Sequence, residues 1–340
     1  MRRLAIGLLV TLCGLMMLGA PSSAQSDDSD SGTETTEQPS VDAPQVDVLQ
    51  VSGLMDPILA ESIRSSIERA ETEGSQALIL QVNSRGTVID EAEVEALLDD
   101  VETAEIPIAI WVGPTGARFY GPAAQMLTVA DVTGMAPGAR VGYVGQPLST
   151  SSGPVGFDGA AQDALRNGSV GLSEARALAV FTEIQDVGVP TITSMVEVLD
   201  GREIDGRTLE TTEEAITDSG QVRRDTTATV RFAKLSLVDQ LFHTVASPPV
   251  AYLLLLTGLA LIVFEFFTAG VGVAAVVGAV CVILACTGLA VLPTRTWAVA
   301  LILLAMLAFA IDVQVGIPRF WTGVGIALTI LVLDAFELLA

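Results

Sequence analysis

The last quarter of this 340-residue chain holds four long apolar stretches separated only by short breaks: Val250 to Phe267, Gly270 to Leu292, Trp297 to Ile311 and Trp321 to Ala340. Each approaches the roughly 20 residues that a helix needs to cross a hydrocarbon core of about 30 Å. In lipid the backbone must satisfy its own hydrogen bonds, so consecutive apolar segments of this kind can only be helices packed as a bundle. The chain is therefore expected to be a multi-pass cell-membrane protein with about four spans over residues 247–340. Arg295 and Arg319 fall on opposite sides of the bundle, so the positive-inside rule does not fix the side of the C-terminus. Glu265, Asp312, Asp334 and Glu337 lie in or at the ends of these stretches. A carboxylate inside a span marks an ion or proton path by default, whereas one near a helix end reaches the interface, and most of these lie near an end.

The other terminus sets the compartment. Met1 to Ala24 combines Arg2 and Arg3, an apolar run, and the small residues Gly19 to Ala24, which is the pattern of an export signal. An uncleaved anchor is the alternative, and Leu12 before Cys13 argues against lipid attachment there. Residues 25–43 are acidic, polar and without apolar period, as expected of a disordered linker. Residues 44–246 then form the soluble part, on the extracytoplasmic side.

Between Gln25 and Pro249 there are 36 acidic and 13 basic residues, which accounts for the whole formal charge of −23. Nucleic acid is excluded as a natural partner. A solvated acidic face explains this balance more simply than a cation site. Cys281 and Cys286 lie in the apolar tail, so the soluble part has no disulfide or thiolate metal site, and neither metal nor cofactor is expected.

Local patterns give a fold class. Val46 to Val51 alternates as a strand; Asp56-Pro57 starts a helix with Leu59, Ile63 and Ile67 on one face and Gly74 as its stop. Ala77 to Val82 reads as a buried strand, Asp90 caps a helix carrying Val94, Leu97, Leu98 and Val101, and Ile106 to Val112 is a third strand. This alternation predicts an α/β layer fold with a parallel sheet. Ala117 to Ala130 is expected to be helical, Thr133 to Pro147 a tight Gly-rich loop path, and Ser149 to Gly159 a mobile loop. Leu172 to Gln185 reads as a helix and Thr191 to Phe232 as short β and turn structure.

Catalytic means are scarce. Lys234 is the only lysine and His243 the only histidine, both just before the apolar tail. A serine hydrolase normally needs an imidazole or a desolvated amine as base. Lys234 reads as an interfacial anchor with its charge toward headgroups, and His243 as a residue of an amphipathic interfacial helix.

Three segments carry a family resemblance: Val82-Asn83-Ser84-Arg85-Gly86-Thr87 after a strand, Gly116 to Gly142 with its Met-Ala-Pro-Gly-Ala-Arg-Val-Gly, and the anchor entry from Ser247 to Gly272. Together they resemble the NfeD family of membrane-bound serine proteases of the ClpP class. The resemblance implies a ClpP/crotonase-like exported domain before the membrane bundle. It places a family oxyanion turn at Ser84 to Thr87, where Gly86 survives. It puts the family nucleophile at Gly121, preceded by Phe119 and Tyr120 and followed by Pro122, and the general-base lysine at about Gly168. Arg166 is no substitute, since a guanidinium keeps its proton.

The resemblance thus points to a membrane-anchored pseudoprotease that acts as a binding or scaffolding module in membrane protein assembly or quality control. Two alternatives stand beside it. One is an active peptidase with a relocated nucleophile among Ser84, Ser149, Ser151 and Ser152; the other is a structural membrane protein in a two-subunit assembly. The partners it implies are further copies of the chain, a stomatin- or flotillin-like membrane protein, a separate small β-barrel protein, and membrane lipid.

Overall fold

A computed structural model describes residues 45–183, 187–204, 206–216, 222–226, 228–268, 272–292, 296–315 and 320–337. The export signal and acidic linker expected over 1–43 lie outside these residues.

The first half agrees closely with the sequence pattern. Strand β1 (Gln45–Met55) leads into helix α1 (Pro57–Glu73), which opens where the Leu59 N–H donates to Asp56 Oδ1 at 2.8 Å and ends at Gly74. Strand β2 (Ala77–Thr87), helix α2 (Glu91–Glu102, capped by Asp90) and strand β3 (Ile108–Val112) complete two β–α–β units. Val94, Leu97, Leu98 and Val101 are all buried, as their spacing requires. Strand β3 is buried at every position, the mark of a strand covered on both faces.

The sheet then forks. Residues 78–82 of β2 pair in parallel with β3, which pairs with β5 (Val132–Met135). Further along, Ser84 of β2 pairs with Phe119 of β4 (Arg118–Tyr120), which pairs with β6 (Arg140–Gly142), and β6 is bordered by antiparallel β9 (Ser169–Gly171). Eleven residues of continuous strand give β2 enough length to serve both branches. On its other side β1 pairs along β2, with a register shift between Gly53 and Met55.

Several expectations for the middle of the chain are corrected. Ala117 to Ala130 is not an α-helix: β4 occupies its start and a 3-10 helix over Pro122–Thr128 follows, because Phe119 and Tyr120 pair into the sheet before Pro122 opens the turn. The Gly-rich path from Thr133 contains β5 and β6. Ser149 to Gly159 forms the hairpin of β7 (Leu148–Thr150) and β8 (Gly153–Val155), tied to α2 where Glu95 and Asp99 accept from the Ser149 and Ser151 N–H groups, each at 2.9 Å. After α3 (Gly159–Arg166), helix α4 covers only Leu172–Ala177, because Ala179 takes φ 51° and sends the chain back to Thr133. Helix α5 (Ile192–Leu199) interrupts the supposed β region; the short pairs β10 (Glu203–Ile204) with β11 (Arg207–Thr208) and β12 (Thr212–Ile216) with β13 (Val222–Thr226) come after it.

Strand β14 (Thr229–Ala233) closes the sheet's other edge in parallel with β1. Asp47, fully buried, explains how. Arg231 lies opposite it in register and donates through Nε (2.8 Å) and Nη2 (2.7 Å) to its two carboxylate oxygens, with Ser75 adding a bond at 3.0 Å. Such a forked pair fixes both register and orientation.

Helix α6 (Leu237–Val245) joins this α/β part to the helices α7 (Pro248–Thr268), α8 (Val273–Val291), α9 (Thr296–Val315) and α10 (Phe320–Glu337). Among the described residues three of them, α7 to α9, are long and apolar enough to cross a membrane, while the described apolar part of the fourth is shorter, Phe320–Leu331. Two of the acids flagged in the sequence close the turns between these helices. The Gly272 N–H donates to Glu265 at 2.6 Å, and the Thr322 N–H and hydroxyl donate to Asp312 at 2.6 and 2.7 Å. Asp312 therefore caps the helix that comes after it, while Glu265 holds the residue that precedes α8. The side chains of Asp334 and Glu337 lie outside the described residues.

Replacing Arg231 by Leu leaves Asp47 buried without its counter-charge. Because Arg231 is itself partly solvated, the expected loss is roughly 2–3 kcal/mol, at or just below the bottom of the range for a broken buried pair. Chemical denaturation of the detergent-solubilised chain measures it, and an unchanged midpoint would show that the pair contributes nothing.

Candidate functional site

Parallel strands end together, and the crevice outside their carboxyl ends is where α/β sheets place their chemistry. Here the register sets Gly53 of β1 beside Ser84 of β2 and Ser84 beside Phe119 of β4, with Met55 beside Thr87 one step further. The three positions implied by the resemblance gather at this end: Gly86 on β2, Gly121 directly after β4, and Gly168 directly before β9. Gly121 and Gly168 flank β6, two strand spacings apart, so their backbones are about 10 Å from each other.

The segment that the resemblance gives as an oxyanion turn is strand here. Ser84 to Thr87 does not turn back; it continues as the end of β2, held by β1 through the Met55–Thr87 pairing, with the Val88 N–H donating to the Met55 carbonyl at 2.9 Å. Gly86 lies in the irregularity of that pairing, where Arg85 and Gly86 together oppose Leu54, and an added Cβ would make only normal contact with Leu54 at 3.5 Å.

This continuation carries Thr87 onto Gly121. A Cβ built on Gly121 would meet Thr87 Oγ1 at 2.6 Å and the Thr87 nitrogen at 3.0 Å, and its φ of 95° already disfavours any L side chain. The amides at the start of the 3-10 helix are also engaged. The Gly121 N–H donates to the Gly142 carbonyl (3.2 Å), Pro122 has no N–H, the Ala123 N–H donates to Thr87 Oγ1 (3.4 Å) and the Ala124 N–H to the Gly121 carbonyl (3.0 Å). No amide of that turn is left to stabilise an oxyanion.

Gly168 is similarly closed. Its carbonyl accepts from the Tyr143 N–H at 2.8 Å, and a Cβ there would meet the Ala164 carbonyl at 2.9 Å. Aromatic rings stand over the strand ends instead: Tyr120 and half-exposed Tyr143 meet edge to face with centroids 5.1 Å apart, while Phe119 is wholly in the core.

The alternative nucleophiles are accounted for. Ser84 is buried and donates to the Gly86 carbonyl at 3.0 Å. The Ser151 hydroxyl donates to Asp99, and that bond holds the Asp99 carboxyl below the usual carboxylate range, which weakens it as a base. Ser149 and Ser152 are exposed on the hairpin.

His243 stands on the polar face of the amphipathic helix α6, and its partners were not legible in the sequence: its Nδ1 lies 2.9 Å from Asp56 Oδ2 and its Nε2 2.8 Å from the Ser52 carbonyl, with the ring seated on Gly53, where a Cβ would approach Nε2 to 2.5 Å at a φ of 105°. Both partners are acceptors, so both ring nitrogens must carry protons, which makes the ring an imidazolium paired with a buried carboxylate. The hydrogen bond to Asp56 raises the His243 pKa against the opposing effect of burial. With both nitrogens engaged, His243 offers no acceptor for a hydroxyl proton. Nothing local announces this contact, since the two residues lie 187 positions apart. Lys234 remains exposed in the connection between β14 and α6.

Residues 249–335 match the family model of the NfeD integral membrane domain. The C-terminal helical part is therefore an NfeD-type integral membrane domain. The chain is 23% identical over 283 residues to the membrane-bound protease PH1510 of Pyrococcus horikoshii, a match covering 77% of this chain and 62% of that protein. The chain thus spans less than two thirds of that relative's length. Solved structures similar to its α/β part include the 1510-N membrane-bound stomatin-specific protease as a lysine-to-alanine mutant with a substrate peptide. That structure shows 17% identity and a TM-score of 0.45 over 60% of this chain and 98% of the other. A serine-to-alanine mutant of the same protease is similar at 17% identity and a TM-score of 0.44, over 57% and 99%. The same 1510-N protease from P. horikoshii gives 18% and 0.44 over 60% and 99%.

The raised His243 pKa has a definite sign. The stability from its contact with Asp56 is fully present below about pH 6.5, the ordinary histidine value, and is lost as pH rises through the folded-state value. Asp239, one turn earlier, is the other charged group on α6, and α8 brings none against it. The denaturation midpoint of the wild type, measured relative to His243→Gln from about pH 6 to about pH 9, is expected to fall; a constant difference would refute the ion pair.

Proposed function

We propose that this chain is a membrane-anchored, ClpP-like pseudoprotease whose α/β part, on the extracytoplasmic side, binds or scaffolds other membrane proteins without cleaving them. The observation that carries the reading is the occupied turn at Gly121: Thr87 fills the place of a nucleophile's side chain, and every amide there is bonded or absent. A protease needs a hydroxyl, a base and converging donors at one point, and each of the three fails here for a separate physical reason. His243 is consumed by Asp56 and Ser52.

What the arrangement retains is half-exposed Tyr143 packed on Tyr120, an aromatic surface suited to holding a partner. A stomatin-like membrane protein, the kind of partner for which the 1510-N protease is named, belongs to the same proposal, as do self-association and a separate small β-barrel subunit.

Incubation of the full chain in detergent with a fluorophosphonate probe is expected to label no serine, and peptide substrates are expected to remain intact. Turnover that one serine-to-alanine change abolishes would overturn the reading. The geometry predicts further that Gly121→Ser with Gly168→Lys stays inactive and less stable, because the new serine meets Thr87; strong probe labelling of that double variant would show that Thr87 does not block the turn. Tyr143→Ala should weaken co-purification of a stomatin-like partner at least several-fold while leaving the thermal midpoint nearly unchanged.

A further inference from the structure

We propose that α6 lies in the headgroup layer of the bilayer spanned by the helices after it, so that the α/β part is docked on the membrane surface rather than tethered above it. At 100° per residue, Leu237, Val238, Leu241, Phe242 and Val245 share one face of α6, while Asp239, Gln240, His243 and Thr244 form the other. The apolar face changes surroundings along its length. At its C-terminal end Val245 is buried on α8: a Cβ on Gly288 would collide with the Val245 carbonyl oxygen and meet Val245 Cγ1 at 2.9 Å.

Gly288 lies in the last turn of α8, and α7 starts at Pro248, so this contact sits where the apolar helices meet the α/β part. Further from that contact the same face is bare: Leu237 is 86% exposed, Val238 50% and Leu241 40%. Phe232, just before it on β14, is 55% exposed, and Lys234 between them is exposed too. An apolar stripe that begins packed on a lipid-embedded helix and continues without cover fits one occupant best, the lipid of that same membrane. Lys234 then reaches headgroup phosphates, which suits the only lysine in a strongly acidic part that anionic lipid would otherwise repel.

The polar face of α6 explains how this orients the sheet. His243 holds Asp56 and the Ser52 carbonyl at the carboxyl end of β1, and Gly53, Ser84 and Phe119 come next as lateral neighbours in the pairing. The end of the sheet that carries Thr87 and Gly121 is therefore the end nearest the bilayer. Any protein engaged there is approached within a few strand spacings of the membrane.

The test uses the full chain with Cys13, Cys281 and Cys286 replaced by Ala, reconstituted in phosphatidylcholine–phosphatidylglycerol vesicles. Single nitroxide labels are placed through Leu237→Cys, Val238→Cys, Leu241→Cys and, as the polar-face control, Gln240→Cys. Paramagnetic relaxation by oxygen is compared with that by a water-soluble nickel chelate. The expected result is an oxygen-to-nickel accessibility ratio several-fold higher at 237, 238 and 241 than at 240. Equal ratios with free access to the nickel chelate would place the face in water and overturn the proposal. Low access to both reagents would mean that a second copy or another protein covers it, which overturns the proposal equally.

Discussion

The course of β2 beyond Val82 governs both the closed turn after β4 and the joint to the membrane helices. Had the chain turned back at Ser84, its amides would have been free to face the crevice. Instead β1 accompanies it through a register shift to the Met55–Thr87 pairing, and the strand delivers a threonine side chain to the turn after β4. One backbone course thereby engages the amides after β4 and fills the space beside Gly121.

A second joint depends on the same strand ends. The shift in β1 leaves Gly53 at a φ that only glycine adopts easily, and the bare α-carbon gives the His243 ring its seat. Asp56 serves two partners at once, capping α1 through one oxygen and the imidazolium through the other. Helix α6 is thus fixed to the sheet by its polar face and to the bundle by Val245. The α/β part and the membrane helices are coupled through nine residues of helix and not through a slack linker.

Much of the architecture was legible because its signals are local. Asp56-Pro57 and Asp90 start helices through bonds made within three residues, and the spacing of Val94, Leu97, Leu98 and Val101 reports one buried face. The apolar helices are legible for a simpler reason, since lipid imposes length and composition on each one separately. Ala117 to Ala130 failed because Phe119 and Tyr120 are recruited by β2 and β6, neighbours distant in sequence, which override a local helical preference. The hairpin at Ser149 to Gly159 was missed because the carboxylates that fix it belong to α2.

For the site, the sequence by itself determined which side chains are at hand: position 121 is a glycine without a hydroxyl, and the chain holds one lysine and one histidine. It also determined the α/β alternation and the apolar spans, because hydrophobic period and segment length are properties of contiguous residues. Only the tertiary structure decided that Thr87 fills the turn, that His243 pairs with Asp56, that Asp312 caps a helix and that Glu265 holds the Gly272 N–H. Each of those is a contact between groups far apart along the chain or a choice among several acceptors, and such contacts are set by how strands and helices are brought together, which no local pattern encodes.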